Sequence, residues 1–225
     1  MTHAAYTFDW SAAWDNAGYV LAGVKITILL TATTMAAGLV LGLFVALARM
    51  SQRRPIAWFG LAYVEFFRAV PLLIGLYWIY YALPALVPAI KLSPFAAAFL
   101  LFTVNLAALN AEAFRSGLLA VPRGQQAAAL SLGMSPAQAF RRVVLPQAVR
   151  RVLPILGNTW VGLFKDTAIV VVIALADITY RAQDVALTTY RPLEIYTLVL
   201  IIYFLLTWPQ SRGLERLFRR FRADG

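Results

Sequence analysis

Cysteine is absent from this chain, histidine occurs once, and charge is scarce: 13% of residues are Asp, Glu, Lys or Arg, ten acids against twenty bases. Without thiols there is neither a disulfide framework nor a thiolate metal site, and redox chemistry says nothing about the compartment. There is no phosphate loop of the GxxxxGK type, no metal-ligand cluster and no nucleophile paired with a histidine, so the chain reads as no enzyme and as holding no cofactor. A soluble domain carries about a quarter charged residues. This one is 61% hydrophobic with a mean hydropathy of +0.73, which excludes that class. A net charge of +10 raises nucleic acid as a partner, but the bases fall in short clusters between apolar runs, as in loops on one membrane face, and nucleic acid is set aside.

What is present is a set of apolar runs long enough to cross a bilayer, which needs about 20 residues per helix. The expectation is an all-α polytopic membrane protein, one domain over 1–225 with five spans. The first runs from Ile26 to Ala48; residues 1–17 before it contain no Lys or Arg, carry Phe8, Trp10 and Trp14, and do not read as a signal peptide. The second occupies Ile56 to Pro88 and contains Glu65 and Arg68, which share a helix face at i and i+3 and can pair. Ser93 and Pro94 open the third, Phe95 to Phe114, with Glu112 and Arg115 at its exit. Val152 to Ala176 is the fourth, and a charged loop from Asp177 to Glu194 leads to the fifth, Ile195 to Ser211. A basic tail, 212–225, remains.

Five spans put the termini on opposite sides. One set of connecting segments holds fourteen arginines, while the other holds Lys91, Arg181 and Arg191. The positive-inside rule then places the N-terminus outside and the C-terminus in the cytoplasm of a multi-pass cytoplasmic (inner) membrane protein, with the tail arginines drawn to anionic lipid.

The segment between spans three and four, 123–146, is polar and carries its own helix signals. Gln125 to Leu132 is rich in Ala, Leu and Gln, and Gly133 supplies the left-handed residue that ends a helix. Ser135, Pro136 and Gln138 form a capping box with proline at the first helical position, and Pro146 is expected to stop or kink this second helix. Two short helices joined by a tight turn on the cytoplasmic side make a rigid docking element for a soluble partner.

At these residues the chain resembles the permease subunits of ATP-binding-cassette importers, whose cytoplasmic EAA loop reads EAA, three residues, Gly, nine residues, Ile, any residue, Leu-Pro. Here Ala127, Ala128 and Ala129 precede Gly133, and Leu145 and Pro146 close the segment, with Gly124 and Gln125 at its start. The runs 112–125, 145–158, 164–169 and 66–84 are similar to the polar amino acid branch, and the opening FDWS and the span-four exit ALAD resemble those of glutamate/aspartate importers. Ala127 departs from the motif glutamate. The resemblance implies a type I importer fold, import of polar amino acids such as glutamate or aspartate by alternating access, and a cytoplasmic ATPase dimer that binds ATP and Mg. It also implies a second permease, identical or related, and an extracytoplasmic solute-binding protein. The competing class is a passive channel or a membrane scaffold.

Within span four, Asn158, Gly162, Lys165 and Asp166 fall at i, i+4, i+7 and i+8, a polar stripe continued by Thr167. A charge at mid-span costs about 2.5–3.5 kcal/mol on insertion scales, so Lys165 needs a partner or water. Two readings stay open. Either the stripe is a substrate pathway, with Lys165 for a carboxylate, Asp166 for an α-ammonium and Arg68 and Glu65 as further candidates, or Lys165 and Asp166 pair with charges on neighbouring helices, Arg68 and Glu65 among them. In span three, Thr103, Asn105 and Asn110 are expected to hydrogen-bond between helices.

Overall fold

A computed structural model describes residues 6–223, with side chains through Phe218; the side chains of Arg219, Arg220 and Arg222 lie outside the described residues. Among those residues there is helix and connection but no strand. Four helical stretches among the described residues are long and apolar enough to cross a membrane, 11–49, 94–119, 136–173 and 192–218, and a bent pair, 54–69 with 72–86, is so when taken together.

The first stretch begins at Ser11, well before the expected Ile26, as α1 (Ser11–Leu21) and α2 (Val24–Arg49) follow each other through a one-turn joint. The second crossing is not one helix. α3 (Arg54–Ala69) and α4 (Leu72–Tyr77) meet at 100°. Pro71 is the reason: it pushes Val70 into the extended region (ψ 124°) and donates no hydrogen bond back to α3. A wide turn, Trp78–Ala82, then leads to α5 (Leu83–Leu86).

α6 (Pro94–Leu119) starts where Ser93 predicts, with the Ser93 hydroxyl accepting from the Ala96 N–H. It runs past Phe114, so Glu112 and Arg115 lie inside the helix and not at its exit. α6 and α2 form the centre of the bundle. They approach closely because α2 presents glycines: a Cβ on Gly38 would stand 2.8 Å from Leu106 Cδ2, and one on Gly42 2.8 Å from Asn110 Cβ. Around this contact lies a core of Leu30, Met35, Leu76, Leu101, Phe102, Leu106 and Leu163.

α7 (Arg123–Ser131) and α8 (Pro136–Ala139) form the polar connection, and a second wide turn, Phe140–Val144, joins α8 to α9 (Leu145–Asp166). Thr167–Ile173 continues α9 as a tighter 3₁₀ helix that ends at Ala174 with φ 55°. The expected charged loop is largely α10 (Ile178–Thr189), started by Asp177, whose Oδ1 accepts from the Tyr180 N–H at 2.8 Å. α11 (Pro192–Ala223) runs through span five and the basic residues in one helix and packs on α9, where the Trp160 indole donates to Gln210 Oε1 at 2.6 Å. At the far end from the polar connection, the fully buried Glu194 accepts from the Tyr6 hydroxyl and, at 2.8 Å, from the Asp9 N–H, tying the opening segment to α11.

Candidate functional site: a docking knob and a polar groove on one helix

The knob is built by local chemistry. α7 ends in a Schellman turn: the Gly133 N–H donates to the Leu130 carbonyl at 3.0 Å and the Met134 N–H to Ala129 at 3.2 Å. Gly133 has φ 81°, a conformation that costs most other residues free energy. α8 opens with the full capping box, Ser135 Oγ accepting from the Gln138 N–H at 3.3 Å and Gln138 Oε1 from the Ser135 N–H at 2.9 Å. Val121, Val144 and Ala148, with Leu118, form a small core that seats the knob on the ends of α6 and α9.

Gly124, Gln125, Ala127 and Ala128 face outward, while Ala129 is buried. Gln125 Oε1 accepts from Gln147 Nε2 at 3.3 Å, a link from α7 to the base of α9. The apex is apolar and rimmed by bases: Leu132 is 80% exposed, and Arg123, Arg141 and Arg142 are exposed around it. Leu145 and Pro146 do not stop the chain; the helix passes through them by way of the wide turn. Behind the knob, Glu112 accepts from both Arg49 and, at 2.5 Å, Arg115, joining α2 to α6. Arg49 in that cluster was not foreseen, since sequence shows only a base at the end of a span.

The groove lies between α6, α9 and the start of α4. Asn158, Thr159, Gly162 and Asp166 line a cavity of about 340 Å³ together with Leu72, Asn105 and Leu109. Three members of the predicted stripe are therefore brought together. Lys165 is not among the lining residues; it is exposed one residue further round α9 and makes no ion pair among the described residues. Thr167 is buried, its hydroxyl donating to the Phe164 carbonyl at 2.7 Å.

The alternative pairing fails. Glu65 and Arg68 lie exposed on α3 and form no ion pair with each other, with Lys165 or with Asp166. α3 and α9 both pack on α2 and α6 but not closely on each other, which keeps the two pairs of charges apart. The interhelical bond expected of Asn105 is present, its amide donating to the Phe67 carbonyl at 2.8 Å, and the same residue lines the groove. Those expected of Thr103 and Asn110 are not: both are buried, and neither side chain has a hydrogen-bond partner among the described residues.

Compared with known proteins, residues 38–222 match the family described as "Binding-protein-dependent transport system inner membrane component". The chain is 35% identical over 215 residues to the "Glutamine transport system permease protein GlnP" of Escherichia coli (strain K12), covering 96% of this chain and 98% of that one. To the "Glutamate/aspartate import permease protein GltK" of Escherichia coli O157:H7 it is 34% identical over 221 residues, covering 96% and 99%. Among solved structures it resembles a chain of the "Crystal structure of an amino acid ABC transporter with histidines", with a TM-score of 0.90, 37% identity, and coverage of 96% and 100%.

Proposed function

This chain belongs to the family of binding-protein-dependent transport system inner membrane components, and on that premise we propose that it is the permease subunit of an ATP-driven importer of polar amino acids working by alternating access. The relatives' names give glutamine and glutamate/aspartate as cargo. These share an α-ammonium and an α-carboxylate, and Asp166, with the amides of Asn105 and Asn158, supplies an anion and neutral dipoles to meet such a zwitterion.

The observation that carries the reading is continuity. One helical rod, Pro136–Ile173, starts with the second helix of the knob, to which α7 is tied by the tight Gly133 turn and the Gln125–Gln147 hydrogen bond, and carries the groove-lining Asn158, Gly162 and Asp166 further along. A push on the knob is delivered to the groove without an intervening hinge loop. In this reading 123–146 is the coupling loop, contacting a cytoplasmic ATPase dimer through Gly124, Gln125, Ala127, Ala128 and the Leu132 apex, and 212–225 is the cytoplasmic tail of a single permease domain. ATP and Mg sit on the ATPases, which do the hydrolysis. The N-terminus is outside, where a solute-binding protein delivers cargo, and the C-terminus is in the cytoplasm.

A second permease, the same chain or a related one, covers the exposed side of α9 that carries Lys165, because a charge facing lipid at that depth is costly. Alternating access then requires only that ATP binding favour one arrangement of the two permeases over the other.

The test is reconstitution with the ATPase and the binding protein in vesicles, measuring uptake of labelled glutamine, glutamate and aspartate with and without ATP. Accumulation against a gradient that needs ATP is expected. Gradient-limited flux without ATP would mean a passive channel.

A further inference from the structure

Between the knob and span four the helix holds one residue too many. In the wide turn Phe140–Val144 the Leu145 N–H donates to the Phe140 carbonyl, five residues back. The buried residues on either side show what the extra residue does. Ala139, Val144, Ala148 and Val152 are all buried, and their spacings are 5, 4 and 4. In an uninterrupted α-helix a five-residue step misses the face by about 140°, at 3.6 residues per turn. The wide turn absorbs that error, so one buried stripe runs from the knob into span four.

The same device occurs elsewhere in the chain: in Trp78–Ala82 the Leu83 N–H reaches back to the Trp78 carbonyl. Both wide turns are followed at once by Leu-Pro, at 83–84 and 145–146. A proline in a regular α-helix drives its ring against the carbonyl four residues earlier, here Arg142 and Tyr80. A proline does not force a wide turn, since Pro154 and Pro209 sit inside continuous α-helices. It penalises the α-helical alternative wherever the extra residue is already present.

We propose that Pro146 is a positioning residue: it locks the one-residue insertion at Phe140–Val144 and thereby sets the direction in which the docking knob faces relative to span four. If the turn closed to α-helix, everything N-terminal to it would rotate by about 100°. Arg142 is exposed and supernumerary, whereas Ala139 and Val144 carry the stripe. Deleting Arg142 while replacing Pro146 by alanine leaves a plain α-helix whose buried residues are spaced 4, 4 and 4, with the knob back in register.

The absence of cysteine permits a direct measurement. Gln126 on α7, exposed and outside the contact set named above, and Met50 at the end of α2 are changed to cysteine and spin-labelled in the assembled transporter, and the distance between labels is read by pulsed EPR. Pro146→Ala is expected to shift it by roughly 5 Å or more, about the radius of a helix with its side chains. Deleting Arg142 with Pro146 retained should shift it as well, and Arg142→Ala should not. The deletion combined with Pro146→Ala should restore the parent distance and recover at least half of the partner ATPase's transport-coupled hydrolysis, which each single change lowers at least tenfold.

An unchanged distance in Pro146→Ala, or no restoration in the combined variant, overturns the assignment. Should Pro146→Ala fail to assemble, the combined variant decides by the same criterion. The hydrolysis readout rests on the docking role proposed above. Distances that follow the pattern while hydrolysis stays constant would refute that role and leave the phase assignment standing.

Discussion

The knob and the groove lie on one helical rod but are built by opposite means. Each feature of the knob is held by residues within a few positions: a left-handed glycine, a serine-glutamine capping box, a five-residue turn before a proline. The groove has no such local signature. Asp166 and Asn158 from α9 meet Asn105 from α6 and Leu72 from α4 only because α2, α6 and α9 pack side by side and α3 is bent away from α4 by 100°. In the proposed function, a knob that holds its shape against the ATPase is specified locally, and a groove that opens and closes is assembled from elements able to shift against one another.

That contrast predicts a graded set of effects. Gly133→Val should act most strongly, because a β-branched residue at φ 81° costs about 1–3 kcal/mol and removes the Schellman turn. Co-purification of the ATPase should fall at least tenfold while membrane insertion is unchanged, and normal assembly would deny the knob its role. Asp166→Ala should reduce uptake roughly tenfold, the order of one lost charge-assisted contact, with the complex intact. Lys165→Met, outside the groove, should cost about threefold or less by the same reasoning; equal losses would show that the groove and the exposed face of α9 are one site.

A smaller effect concerns pH. Asp177 is buried beneath the joint of α1 and α2, with Oδ2 unpartnered, and burial pushes its carboxyl up to about 7. In the unfolded chain it titrates near 4, so between those values the native state binds the extra proton. The group's contribution to stability is therefore greatest below pH 4, falls as pH rises towards 7, and is level above that. Asp177→Asn should flatten this part of the thermal unfolding profile; a profile unaltered by the substitution would show that the carboxyl is not the titrating group. The smallest effect is expected of Ala127→Glu. Ala127 is exposed, and restoring a carboxylate on the open side of α7 should change uptake less than twofold, within the range of a surface charge. Loss of the ATPase would mean that the partner's surface is shaped to alanine.

Reading ahead from sequence succeeded where the determinant was close by. Ser93, Gly133, Ser135 and Gln138 act as their neighbours imply, because caps and turns are satisfied within five residues. It failed where a third residue decided. Glu65 and Arg68 have the spacing of a pair, yet each is exposed and neither forms an ion pair among the described residues; Pro71 bends the chain just beyond them. Lys165 shares a helix side with Asn158, seven residues earlier, yet Asn158 and Asp166 line the groove and Lys165 does not, a difference set by the neighbouring helices and not by the spacing. Glu112 bonds Arg115 at the i, i+3 spacing of one helix face, whereas its bond to Arg49, 63 positions away, has no local signal.

By itself the sequence determined the helical membrane class, the position and internal caps of the knob, and the polar stripe on span four. These follow from the dryness of the bilayer, which demands helices of a given length, and from hydrogen-bonding needs met within one turn. Tertiary structure alone decided that the second crossing is broken, that α2 and α6 approach through Gly38 and Gly42, and which side of α9 faces the groove. Those choices depend on which helix lies beside which, and the contacts that stabilise them join residues far apart in the chain, where no local period carries the information.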